Sequence, residues 1–187
     1  MKKQKSNART WLTTLRKRKK MTQEEIASKS FIDRAYYAQI ENGDRNPSEE
    51  IRQKIASILD FHPSTFILAD ESPFRFAMEQ APMVIAHCDL DLRYTWLFNP
   101  HADFTSEQSI GMRDDELADN SGTRALMLLK QKVIDTGQNF REEITFPLSD
   151  GNMTYVVFAH PLLDSEGKII GAATASTGIS STVDADT

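Results

Sequence analysis

The sequence predicts two folded units of different class: an all-α helix-turn-helix unit of four to five short helices over residues 1–69, and an α+β unit with a five-stranded antiparallel sheet over residues 74–180. Three observations predict this division. Apolar residues recur at helical spacing as far as Leu68 and in strand-like runs from Met83 onward. Charge changes sign between the parts: residues 1–66 carry 14 Lys and Arg against 8 Asp and Glu, and residues 67–187 carry 8 against 19. Between them, Asp70-Glu71-Ser72-Pro73 is polar and breaks the helical pattern, so residues 70–73 read as a linker and 181–187 as a flexible tail. A chain of 187 residues is long enough for two small domains, each with its own core.

Composition narrows the function classes. With 40% hydrophobic and 26% charged residues the chain is too apolar for wholesale disorder. No apolar run approaches the eighteen or so residues of a membrane span. The basic start, Met1 to Lys5, lacks the apolar stretch of a secretory signal, so a cytoplasmic location is expected. Cys88 is the one cysteine, which excludes an internal disulfide, and no Cys/His spacing matches a zinc site. A basic block of this size is the footprint of a phosphate-binding module, whereas the acidic block would be repelled by DNA; a solvated charged face is the plainer reading of the same counts.

In the first unit, Leu12 and Leu15 form an apolar stripe within a basic segment and predict a helix from about Ala8 to Lys20. Thr22-Gln23-Glu24-Glu25 is a capping box that starts a second helix, running to about Ser28. Asp33 caps a third, Arg34 to Asn42, which Gly43 stops. Ser48 caps a fourth, with Glu49 and Glu50 in its first turn and Ile51, Ile55, Ile58 and Leu59 at helical spacing. Pro63 and Ser64 open a short fifth helix through Leu68.

Short helices with a tight turn between the second and third are the layout of a DNA-reading helix-turn-helix. Thr22 to Ala27, Ile40-Glu41-Asn42-Gly43, Arg45-Asn46-Pro47-Ser48 and Ile55-Ala56 closely resemble the Cro/CI-type (Xre) helix-turn-helix regulators of bacteria, over about residues 9–68. The resemblance implies that helix three enters the major groove of double-stranded operator DNA, with Arg34, Ala35, Tyr36 and Gln39 at the base edges. Arg suits guanine, Gln adenine and the Ala methyl thymine. It implies phosphate contacts from Gln23, Asn42 and Arg45, non-specific charge from Arg18 or Lys19, and a structural ion pair between Arg16 and Glu41. Ile26, Ala27, Ile32, Tyr37 and Ile40 fall at the buried phase and read as core, while packing over the helix is an equal alternative for Tyr36. One position departs from the family: Phe31 stands where the turn usually has Gly, which requires either a strained left-handed Phe or a different turn.

In the second unit, Phe74 to Gln80 reads as a short amphipathic helix, and Met83–Cys88 and Leu92–Phe98 as a hairpin around Asp89-Leu90-Asp91. Ala125, Leu126, Leu129, Val133 and Ile134 mark a longer helix ending at Gly137. Strands from Phe140 to Leu148, Met153 to Leu163 and Ile169 to Gly178 follow, joined by turns at Ser149–Asn152 and Asp164–Gly167.

This order resembles a PAS domain over residues 74–180, carried by Ala81-Pro82, Phe98-Asn99-Pro100, Ile110-Gly111-Met112 and Pro161 to Gly167 with Gly171. The resemblance implies a sensor or dimerisation domain, a homodimer reading successive major grooves, and a small molecule held between sheet and helices. Trp96, Phe98 and Phe158 are the candidate pocket residues, with core filling as the plainer alternative. The cofactor is open. A flavin adduct is disfavoured because Cys88 lies on a strand, and haem because residues 122–138 contain no His, while His101 and His160 are the only candidate axial ligands. The acidic clusters Asp114-Asp115-Glu116 and Glu142-Glu143 are expected to be exposed, and no nucleophile, base and orienting group occur together, so no enzyme activity is expected. A ligand-free dimerisation or protein-recruitment module is the alternative reading of this domain.

Overall fold

The computed structural model describes residues 8–69, 78, 81–149 and 151–179, and the chain divides into two compact units, Met1–Glu79 and Gln80–Thr187. The expected linker at 70–73, the helix at 74–80 apart from Met78, and the tail at 181–187 lie outside the described residues.

The first unit contains helices α1 (Thr10–Arg18), α2 (Gln23–Lys29), α3 (Arg34–Glu41), α4 (Glu49–Leu59) and α5 (Thr65–Ala69). Their starts are set by local chemistry. Thr22 and Glu25 form a reciprocal capping box, the Asp33 carboxylate accepts from the Tyr36 amide at 2.7 Å, and the Ser48 hydroxyl accepts from Ile51. Leu12, Ile26, Ala27, Tyr37, Ile40, Ile55 and Leu59 are buried between the helices, as their phase requires, whereas Ile32 is half-buried. Trp11, Phe61 and Phe66 pack edge to face, with centroids 5.1 and 5.3 Å from Trp11, and close the base of the bundle.

Phe31 takes the left-handed conformation with φ +58°, so the turn is kept and the side chain carries the strain. Its ring is 84% exposed, with the Lys54 ammonium 5.3 Å from the centroid.

In the second unit a five-stranded antiparallel sheet has the order β2-β1-β5-β4-β3, from strands β1 (Met83–Cys88), β2 (Tyr94–Phe98), β3 (Phe140–Leu148), β4 (Gly151–Leu163) and β5 (Ile169–Ile179). Helices α6 (Ser106–Ser109), α7 (Asp114–Leu117) and α8 (Ser121–Thr136) come between β2 and β3. The core lies between α8 and one face of the sheet, where Leu126, Leu129 and Val133 meet Ile144, Val157, Ala159 and Ala172. Gly137 ends α8 in the left-handed conformation, and Gly171 allows β5 to approach β1 so closely that a Cβ would stand 1.9 Å from the Cys88 carbonyl oxygen.

Two strand starts differ from the sequence reading, and β5 runs one residue further, to Ile179. β2 begins at Tyr94 rather than Leu92, because the Asp89 carboxylate accepts from the amides of Asp91 and Arg93 and holds Leu92 in a turn at φ +63°. β4 begins two residues early, at Gly151, because Leu148 and Gly151 already pair across the hairpin.

Replacing Phe31 by Gly removes the left-handed strain at the cost of a more flexible unfolded chain. Thermal unfolding of Phe31→Gly is expected to show unchanged or slightly higher stability, by up to about 1 kcal/mol.

Candidate nucleic-acid interface and buried cavity

Helix α3 presents a mixed surface. Arg34, Ala35 and Gln39 are exposed, Tyr36 is half-buried, and Tyr37 and Ile40 face the core. Ala35 and Gln39 are one turn apart and therefore neighbours on the helix surface.

The C-terminal end of α3 is anchored by Glu41, which is 4% exposed. Its Oε1 accepts from Arg16 Nε at 2.5 Å and from the Tyr37 hydroxyl at 3.2 Å. Its Oε2 accepts from Arg16 Nη2 at 3.1 Å and from Gln23 Nε2 at 2.8 Å. Arg16 also donates to the Met21 carbonyl, at 2.9 Å. One carboxylate thus joins α1, α2 and α3. Burial raises its pKa, but the donors led by Arg16 more than offset this and hold the carboxyl below the ordinary carboxylate range. Gln23 is tethered by this contact at the first residue of α2, where the helix-start amides also point outward.

Asn42 and Arg45 are exposed in the loop after α3. That loop is held by a residue the sequence reading missed. Arg9 is 4% exposed; its Nη1 donates to the carbonyls of Ile40 at 2.6 Å and Arg45 at 2.9 Å, and its Nη2 to Asn46 Oδ1 at 2.5 Å. No local pattern marks Arg9, because its partners lie more than thirty residues away. Arg18 is exposed, and Lys19 pairs with Asp60.

The second unit contains a cavity of about 100 Å³ between the sheet and α6–α8, lined mainly by apolar side chains such as Val84, Leu97, Phe104, Leu126 and Phe146. Trp96, Phe98 and Phe158 do not line it, which corrects the sequence expectation. For Trp96 and Phe98 the reason lies in β2, which carries a bulge. Cys88 pairs with Tyr94 but His87 with Trp96, so Thr95 is an extra residue that shifts the alternation. Tyr94 and Leu97 therefore both face the helices, and Trp96 and Phe98 turn to the opposite face. There Trp96 packs on His87 at 5.1 Å and stacks with Phe98 at 6.1 Å. Phe158 shares that face through the register Phe158–Ala175–Ile85 and is 49% exposed.

Beside the cavity lies a buried polar group that joins β2, α7 and α8. Asp114 lines the cavity and accepts from the Tyr94 hydroxyl and, at 2.7 Å, from Lys130 Nζ. Asp114 and Lys130 are 3% and 1% exposed, so the acidic cluster expected at the surface turns one carboxylate inward. Lys130 Nζ also lies 4.0 Å from the centroid of the Tyr94 ring. Burial disfavours the Lys130 charge, but the adjacent Asp114 carboxylate more than offsets this and moves the ammonium above its ordinary range. Burial moves the Tyr94 hydroxyl upward too, and pushes the Cys88 thiol up to about 11. Lys130 was visible as an anomaly in the sequence: it falls at the apolar phase of α8 with Leu126, Leu129 and Val133.

A small helical unit with an exposed, anchored third helix, followed by a five-stranded sheet with helices over one face, is the layout of a helix-turn-helix unit joined to a PAS-fold unit. Comparison with known proteins agrees. The helix-turn-helix family model matches residues 12–66, and the PAS fold model residues 78–184. The HTH-type transcriptional regulator YqaF of Bacillus subtilis strain 168 is 47% identical over 58 residues, which are 31% of this chain and 76% of that protein. Histidine kinase 5 of Arabidopsis thaliana is 28% identical over 102 residues, 54% of this chain. The chain spans only 11% of that kinase and 14% of a second matching kinase, from Oryza sativa subsp. indica. Among solved structures, the Vibrio cholerae VqmA dimer in the absence of target DNA has a TM-score of 0.51 at 19% identity, covering 59% of this chain and 52% of that one. VqmA bound to DPO has a TM-score of 0.50 at 20% identity, covering 58% of each chain. The chain belongs to the helix-turn-helix family through its first unit and to the PAS-fold family through its second. Among the described residues, no helix is long and apolar enough to cross a membrane.

Removing Glu41 leaves the Arg16 guanidinium, 12% exposed, without its carboxylate, whereas Glu24 is exposed. Glu41→Gln is therefore expected to cost about 3 kcal/mol and Glu24→Gln less than about 0.5 kcal/mol, compared by denaturant unfolding. Because the folded-state pKa of Glu41 is depressed, its stabilisation is complete above the unfolded value of about 4.3 and is lost as pH falls through the lower folded value. Acid titration of Glu41→Gln is expected to show a shallower loss of stability below about pH 4.3 than the parent chain shows.

In the second unit, Lys130→Met leaves a buried carboxylate unpaired and is expected to cost about 3–5 kcal/mol. The double variant Asp114→Asn, Lys130→Met is expected to recover part of that loss in the same unfolding measurement.

Proposed function

We propose that this chain is a cytoplasmic, homodimeric regulator that reads operator DNA with α3 and whose PAS domain adjusts that binding in response to a small molecule. The observation that carries the reading is the exposure of Arg34, Ala35 and Gln39 on a helix whose far end is fixed by the Glu41 network. Arg34 offers two donors for guanine, Gln39 a donor and an acceptor for adenine, and the Ala35 methyl a contact for thymine, with Tyr36 at the rim. Gln23, Asn42 and Arg45 are the phosphate contacts in this reading. Two of them are pre-positioned: Gln23 by Glu41, and the Arg45 backbone by Arg9.

One reading helix covers one half-site, so a homodimer is what gives an operator of useful length. The VqmA dimer, which has target DNA and the same domain fold, supports that arrangement, and VqmA bound to DPO supports a ligand in such a domain. The charged groups of the cavity neutralise each other, which supports binding rather than catalysis. A ligand-free pairing or recruitment role draws on the outer sheet face, where Phe158 is 49% exposed and Phe98 lies on the same face across β5 and β1.

Selection of bound DNA from a pooled oligonucleotide library is expected to give a palindromic motif. The Arg34→Ala, Gln39→Ala double variant is expected to lose it, each substitution costing about 1–3 kcal/mol at its base pair. An undivided or non-palindromic motif would count against the dimer, and a motif that survives the double variant against α3 as the reader.

A further inference from the structure

We infer that the PAS cavity takes an uncharged molecule no larger than about one substituted ring, apolar over most of its surface and presenting an N–H or O–H to the Asp114 carboxylate. The inference rests on the ligand-responsive reading above and adds the chemistry of the ligand. Size comes from the volume of about 100 Å³. An apolar cavity of about 150 Å³ holds benzene, so one ring is the upper limit for this smaller space, and an isoalloxazine or a porphyrin is excluded unless the walls move.

Polarity comes from the wall. Val84, Leu97, Phe104 and Phe146 offer no hydrogen bond from their side chains, and the Ser109 and Thr123 hydroxyls in the wall already donate to the carbonyls of Thr105 and Ala118, so most of the ligand is apolar. Asp114 differs from them. A carboxylate has about four lone-pair sites, and two of those on Asp114 are taken by Tyr94 and Lys130. Asp114 lines the cavity, so its remaining acceptor capacity pairs with a donor there and not with another acceptor.

Charge comes from the same pair. Lys130 already balances Asp114 at 2.7 Å, and the histidine of the wall, His101, lies 3.6 Å from the Asp103 carboxylate, so the wall has no unpaired charge to offset that of a buried anion or cation. An anion would also lie against the Asp114 carboxylate. Neutral ligands are therefore selected over acidic ones of the same shape.

Three probes of one ring size separate these properties: phenol, toluene and benzoate, titrated into the full chain by ligand-detected NMR and thermal shift. Phenol is expected to bind and raise the melting temperature, toluene to bind about tenfold or more weakly, and benzoate not to bind. Val84→Phe fills the cavity without touching the Asp114 pair and is expected to abolish phenol binding while the chain stays folded. Asp114→Asn, if it folds, is expected to narrow the difference between phenol and toluene. The inference is overturned by benzoate binding as tightly as phenol, by equal phenol and toluene affinity, by phenol binding that survives Val84→Phe, or by no probe binding at all. Affinity for the selected operator is measured on the same samples. Phenol binding with unchanged operator affinity supports the ligand class and sinks the ligand-responsive reading. Operator affinity that responds to a host extract, with no probe bound, does the reverse.

Discussion

The DNA-binding unit depends on one carboxylate. Glu41 is buried at the end of the reading helix, and a lone carboxylate there would be costly to desolvate. It is tolerable because Arg16, Gln23 and Tyr37 together supply four hydrogen bonds from three helices. The same contacts that solve the solvation problem fix the angle at which α3 leaves the bundle. The small core of Leu12, Ile26, Ile40, Ile55 and Leu59 holds the helices together, but apolar packing is non-directional and would tolerate some rotation of α3. A hydrogen-bonded ion pair does not. Arg9 extends the constraint to the next loop by binding three acceptors around it, so both the reading surface and the flanking loop are referred to α1.

The PAS unit uses a buried carboxylate differently. Asp114 meets Lys130 and Tyr94 across β2, α7 and α8, which ties the helical segment to the sheet at one point. Around that point the packing is incomplete. The bulge at Thr95 brings both Tyr94 and Leu97 to the helix side, and the helices span the gap over them instead of filling it. A polar tie thus stands beside an apolar void, the tie giving direction where the void gives only volume. In the first unit the carboxylate is spent on rigidity, while in the second part of it still faces an open space.

Element identity was legible wherever the determining chemistry is local. The capping box at Thr22, the caps at Asp33 and Ser48, and the stop at Gly137 each act within a few residues. The hairpin turns and the strand runs of the PAS unit likewise specify their own pairing. Failures came from effects that cross elements. The candidate pocket of Trp96, Phe98 and Phe158 failed because the register of the sheet puts all three on the face away from the helices. Asp114 was expected at the surface because acidic runs are usually solvated, yet a lysine one helix later draws it inside. Lys130 itself was detectable from its phase in α8, though its partner was not. Phe31 shows the opposite case: the missing glycine was plain in the sequence, and the structure decided only that the turn stays and the phenylalanine accepts φ +58°.

The sequence by itself determined two units, their classes, the position of the third helix and the pattern of caps, because these follow from periodicity and from hydrogen bonds between near neighbours. It also carried the charge division between a basic head and an acidic sheet domain. Only the tertiary structure decided that Arg9 holds the loop after α3, which residues line the cavity, and that Asp114 and Lys130 form its polar wall. Each of those depends on side chains from separate elements meeting at hydrogen-bond distance, and neither spacing nor composition encodes such a distance.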